Sequence, residues 1–106
     1  MTFKEYQAES RKTVVYPRVG EHSWIYPALG LCGEVGEILE KLKRVLRDGA
    51  QIDKEALKKE LGDVLWYLSS LAAELGIELE DVAITNIQKL TSRIERGCLH
   101  GNGDER

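Results

Sequence analysis

Lys59-Glu60-Leu61-Gly62-Asp63-Val64-Leu65-Trp66-Tyr67-Leu68 is the stretch that decides how this chain reads. Apolar residues recur through it at three- and four-residue spacing, and the pattern continues outward as Leu57, Leu71, Ala72 and Leu75. That is the period of an α-helix with one apolar face. At about 100° per residue, Glu60 falls inside the apolar arc, flanked by Leu57, Leu61 and Val64, and Asp63 lies at the arc's edge. An ionised carboxylate turned toward a core is costly unless it is paired or holds a metal. The stretch therefore predicts a bundle helix and a chemical site on it.

Working outward, Asp53 caps this helix and Gly76 stops it after Leu75. A longer helix precedes it, from Trp24 or Pro27 to Asp48, with Pro27 tolerated in the first turn and Gly49 beyond the end. Its stripe is Ala28, Leu31, Cys32, Val35, Ile38, Leu39, Leu42, Val45 and Leu46. Thr2-x-x-Glu5 is a capping-box signal for a first helix through Lys12. Thr13 to Ser23, with Pro17 and Gly20, reads as a loop. A last helix runs from Leu79 to Arg96 with the stripe Leu79, Ala83, Ile87, Leu90 and Ile94, and Gly97 after it. The stripes can face one shared core, so the fold class is all-α, a short bundle of about four helices. Residues 1–97 form one domain and 98–106 a polar tail.

Composition bounds the function. The chain has 106 residues, 42% hydrophobic and 31% charged, which reads as one folded domain. A net charge of −3 gives no general pull toward nucleic acid or an anionic membrane. No apolar run approaches the roughly 18 residues of a membrane span. Cys32 and Cys98 are too few for a disulfide framework, and a cytoplasmic setting is the plain reading. These cysteines with His22 and His100 lack the CxxC or HxxxH spacing of a zinc site.

Glu34 and Glu37 repeat on the second helix the three-residue spacing of Glu60 and Asp63. Glu34 borders its apolar stripe; Glu37 sits further round. Acids aimed at one seam repel, and protons, lysines or a divalent cation must relieve them. Lys41, Lys43, Lys58 and Lys59 could do so as inter-helix salt bridges. All-oxygen ligation would instead favour Mg²⁺ or Mn²⁺, set between carboxylates and phosphate oxygens. On the last helix Asn86, Lys89 and Arg93 form one stripe suited to phosphate, with Lys43 a weaker candidate; the bland reading is a solvated flank. His22, Trp24, Tyr26 and Tyr67 offer aromatic surface for a nucleobase, or a plug over the bundle end. Trp66 points off the main arc, and a subunit interface is the preferred reading.

Gly33-Glu34-Val35-Gly36-Glu37, then Lys59 to Leu68, then Asn86-Ile87-Gln88-Lys89-Leu90 with Arg93, resemble in that order the MazG-like all-α nucleotide pyrophosphohydrolases. The first two contain that family's E-x-x-E … E-x-x-D pattern, and the likeness runs from Tyr6-Gln7 to the tail. The resemblance implies that Glu34, Glu37, Glu60 and Asp63 bind Mg²⁺ and that Asn86 and Lys89 hold substrate phosphates. It implies hydrolysis of a nucleoside triphosphate between its α and β phosphates, giving a monophosphate and pyrophosphate. It also implies dimers, or dimers of dimers, that complete each core and site. The ending Gly101-Asn102-Gly103-Asp104-Glu105-Arg106 is similar to the GxGDxR ending of short members, so the tail is expected to close over a site. Glu37, or Glu34, is the expected proton acceptor, with Lys89 and Arg93 steadying the leaving pyrophosphate. The rival readings are a non-catalytic helical oligomerisation module with an acidic salt-bridge seam, and a related-fold hydrolase of a phosphoribosyl nucleotide.

Overall fold

Four helices follow one another in the computed structural model, which describes residues 1–18 and 22–106. They are α1 (Phe3–Arg11), α2 (Ile25–Asp48), α3 (Lys54–Glu74) and α4 (Leu79–Glu95). No described residue belongs to a β-strand, and the all-α fold class holds. Gly20, placed in the first loop by sequence, lies outside the described residues.

The ends fall where capping chemistry puts them. The Thr2 hydroxyl accepts the Glu5 N–H at 3.1 Å. The Asp53 carboxylate accepts the Ala56 N–H at 3.0 Å. Each satisfies a donor that the first helical turn leaves open. Gly49 and Gly76 take φ of 67° and 72° and turn the chain out of α2 and α3. Pro27 is buried in the first turn of α2, where its missing N–H costs nothing.

The short link between α2 and α3 makes them a hairpin, and among the described residues α2 packs on α3 alone. The helices α1 and α4 pack on α3 and on each other. Small side chains let α1 approach: Ser69 and Ser70 of α3 are fully buried, and the Ser10 and Ser69 hydroxyls meet at 3.2 Å. Gln7 locks this layer to the α3–α4 turn. Its amide donates to the Ile77 carbonyl at 3.0 Å and accepts the Leu79 N–H at 3.0 Å.

One expectation is corrected here. The stripes of α2, α3 and α4 do not share one core within the chain. Among the described residues, Ala72 and Leu79 are the buried core hydrophobics, beside the buried Pro27. Leu46 of α2 is 87% exposed, Ile94 of α4 is 64% exposed, and Leu39, Leu61 and Ile87 are exposed as well. The radius of gyration is 16.7 Å, against about 13 Å for a compact domain of 100 residues. An amphipathic stripe specifies that a face needs cover, not which element covers it. No helix is long and apolar enough to cross a membrane.

Candidate active site

The α2–α3 hairpin brings acids from both helices to one place. Glu34 of α2 and Glu60 and Asp63 of α3 each offer a carboxylate oxygen within 4.8 Å of the others. Glu34 and Glu60 are half-buried and Asp63 is exposed. Burial raises the Glu34 pKa, and the charges of Asp63, Glu60 and Glu37 and a hydrogen bond with Glu60 raise it further. Glu37 is exposed and stands outside the group of three, one turn along α2; it acts on Glu34 through its charge.

Lys41 reaches this cluster, its ammonium 3.6 Å from Glu60. That is a salt bridge of the kind the alternative reading requires. One partly exposed cation at that distance is a weak partner. Burial first, and then the charges of Asp63, Glu60 and Glu37, make Glu34 hold its proton more tightly. Three oxygen donors from two rigid helices suit a hard divalent cation.

Lys43 is not among the residues of the acidic cluster. It pairs with Glu40 on its own helix at 2.9 Å. Asn86 and Lys89 share the wall of a groove on α4 with Ile77, Asp81, Val82 and Thr85. Arg93 is not a solvated flank: it is 4% exposed. Among the described residues no ion pair joins Lys89 or Arg93 to the acidic cluster. Both cations hold Asp104 of the tail instead, at 3.1 and 3.2 Å. Hydrogen bonds from Lys89 and then Arg93 lower the Asp104 pKa. Arg93 also donates to the Asp104 carbonyl at 2.9 Å. Arg106 ties the tail to itself through the carbonyls of Cys98, Leu99 and Gly103.

The aromatic candidates divide in two. His22 and Trp24 pair with ring centres 5.3 Å apart. Tyr26 lies near Tyr67, and Tyr67 borders the acids. Its phenol pKa is raised by burial, then by Tyr26, Glu34 and Asp63. A Cβ at Gly30 would overlap the Tyr67 ring, so the glycine permits that close approach. Trp66 is half-buried, its indole donating to the Thr13 hydroxyl at 2.8 Å and its ring meeting Tyr16 and Tyr67 edge-on.

Sequence reading missed Tyr16, which stacks on Tyr26 with ring centres 5.5 Å apart and planes at 12°. It also passed over Tyr6 of α1, whose phenol pKa is raised by burial and then by the Asp63 charge. Neither residue has a periodic signal that points at the acids.

Residues 27–97 match the MazG nucleotide pyrophosphohydrolase domain, a span that contains every acid of the cluster and the Asn86–Arg93 stripe. The chain belongs to the MazG nucleotide pyrophosphohydrolase family. It is a hydrolase, and the nucleotide pyrophosphohydrolase activity implied by the resemblance is the activity of the family. Two relatives extend the match. The Gene 37 protein of Mycobacterium phage L5 is 41% identical over 109 aligned positions, covering 95% of this chain and 96% of that protein. The dCTP pyrophosphatase 1 of Mus musculus is 38% identical over 79 positions, covering 65% of this chain and 46% of that enzyme. No solved structure matches the chain. Within the MazG match, the residues that set this chain's geometry are those of the α2–α3 hairpin. The loop carrying Tyr16, His22 and Trp24, and the tail carrying Asp104, lie outside it.

Proposed function

We propose that the protein is a Mg²⁺- or Mn²⁺-dependent nucleoside triphosphate pyrophosphohydrolase, releasing a nucleoside monophosphate and pyrophosphate. The observation that carries this is the convergence of Glu34, Glu60 and Asp63 within 4.8 Å, met among the described residues by one ion pair, from Lys41 to Glu60 at 3.6 Å. These three acids, with Glu37 at the rim, would hold the cation. The bound cation would neutralise the carboxylates and polarise the phosphate oxygens. Water attacks the α-phosphorus, the bond to the α–β bridging oxygen breaks, and Glu37 accepts the water's proton, with Glu34 in reach to share it. Lys89, Arg93 and Asn86 would hold the phosphates, with Asp104 displaced from the cations. Tyr67, beside the acids, and Tyr26 near it would form the nucleobase wall, with Trp24 and His22 just ahead of α2.

The exposed stripes of α2 and α4 support a dimer, or a dimer of dimers, that covers them. Residues 1–97 then act as one domain with residues 98–106 folded onto α4. The net charge of −3 and the two free thiols support a cytoplasmic enzyme that acts on free nucleotides, not on nucleic acid or a membrane. The name of the mouse relative makes dCTP a first substrate to try.

The test is product analysis over a panel of ribo- and deoxyribonucleoside triphosphates with Mg²⁺. Equal amounts of monophosphate and pyrophosphate are expected from at least one. Orthophosphate release, or no turnover of any nucleotide, would overturn the reading.

A further inference from the structure

A polar cluster far along α3 from the acids is left unused by the reaction. Glu74 is 13% exposed at its side chain. It accepts from Arg11 at 2.7 Å and from the Tyr16 hydroxyl at 2.6 Å. Arg11 also donates to the Tyr16 oxygen at 2.9 Å, which closes a triangle. Ser23 hydrogen-bonds to the same carboxylate. These partners come from the end of α1 and from the loop that leads to α2. Glu74 thus gathers both ends of the segment that carries the aromatic residues.

The cluster has a line of contact back to the site. Tyr16 stacks flat on Tyr26. Tyr26 lies near enough to Tyr67 to act on its phenol, as do the charges of Glu34 and Asp63. Trp66 braces both ends, edge-on to Tyr16 and to Tyr67. Asp63, Tyr67 and Glu74 follow one another on α3 at i, i+4 and i+11, which places them along one line of the helix. A loop tyrosine without its hydroxyl partners is free to swing; held by an ion pair that takes its proton and fills one lone pair, it is fixed.

We propose that Glu74 is a positioning residue for nucleobase recognition: through Tyr16 it sets the place of Tyr26, and so of Tyr67 beside the metal-binding acids. This rests on the proposed function. It predicts that base selection depends on a carboxylate that touches no substrate.

The test uses the full chain with Tyr16→Phe and Glu74→Gln. Tyr16→Phe keeps the stacking ring and removes its anchor. Three quantities are measured: KM and kcat for each nucleotide, the spread of kcat/KM between bases, and inhibition by inorganic tripolyphosphate, which has phosphates and no base. Both variants should raise KM about fivefold, as loss of one ordering hydrogen bond would. Both should narrow the spread between bases and leave the tripolyphosphate inhibition constant within about twofold. A parallel loss of tripolyphosphate binding would mean general damage and overturn the inference. Should Glu74→Gln not fold, Tyr16→Phe decides alone. An inactive wild type overturns the proposed function and the inference with it. An active wild type whose KM and base preference ignore both substitutions overturns the inference only.

Discussion

Glu34 on α2 and Glu60 on α3 converge across the hairpin seam, their carboxylate oxygens within 4.8 Å of each other and of Asp63. The pair is therefore at odds with itself at neutral pH. The Glu34 pKa is raised in the fold, so folding favours its protonated form. The contribution of Glu34 to stability is fully present below its ordinary value of 4.5 and is lost as pH rises through the raised value. Glu34→Gln should make the cation-free protein melt a few degrees higher at pH 7 to 8, with the gain disappearing near pH 4. Melting curves across that range in a chelator check it. A variant less stable than wild type at every pH would contradict the repulsion.

Glu74 behaves oppositely. Hydrogen bonds from Ser23, Tyr16 and Arg11 hold its pKa down at about 2, below the ordinary 4.5. Its contribution is fully present above pH 4.5 and is lost as pH falls toward 2. Wild type should lose stability across that window. Glu74→Gln should melt lower at pH 7 and show a flatter acid limb, because that proton-linked term is gone. Melting temperatures at half-unit steps from pH 2 to 7 test this.

The fold was legible where local chemistry decides it. Thr2, Asp53, Gly49 and Gly76 marked helix ends because caps satisfy backbone groups within three or four residues. Glu60 was legible because an acid in an apolar arc demands a partner. What escaped the sequence depends on distant segments. The seat of Trp66 is made by Thr13, 53 positions away. Tyr16 sits in a loop with no period to place it. Lys89 and Arg93 read as a phosphate stripe, but periodicity could not reveal that Asp104 would be folded onto them. The exposed Leu46 and Ile94 show the same limit: a stripe announces a buried face without naming its cover.

Gly30 faces the Tyr67 ring with no room for a methyl group. Gly30→Ala would gain up to about 1 kcal/mol in helix propensity. It would cost about 1–3 kcal/mol in overpacking, so strain wins. The variant should be destabilised by about 1 kcal/mol and should raise KM for nucleotides by displacing Tyr67. Urea unfolding and steady-state kinetics read the two effects. An Ala variant of wild-type stability and KM would show that the ring does not lie there.

Asp104 occupies the two cations that the substrate phosphates would use. Removing its charge should leave Lys89 and Arg93 more available. Asp104→Asn should bind inorganic pyrophosphate about threefold more tightly at low salt, and the gain should shrink as salt screens it. Competitive inhibition by pyrophosphate at two ionic strengths measures this. Weaker binding would instead make Asp104 part of the anion site.

The exposed faces of α2 and α4 predict self-association. Sedimentation should find at least a dimer at micromolar concentration, and Leu46→Glu or Ile94→Glu should shift it toward monomer. A monomeric wild type would leave those faces without cover.

The account rests on the three converging acids acting as a cation site. The most direct measurement is the melting temperature of wild type and Glu60→Gln as Mg²⁺ is titrated from zero to saturation. Binding to the folded state alone must raise the wild-type value with the logarithm of free Mg²⁺. The variant should start near wild type and lose most of that rise. If Mg²⁺ and Mn²⁺ leave wild type unmoved and Glu60→Gln simply destabilises it, the seam is a salt-bridge network and the metal site is wrong.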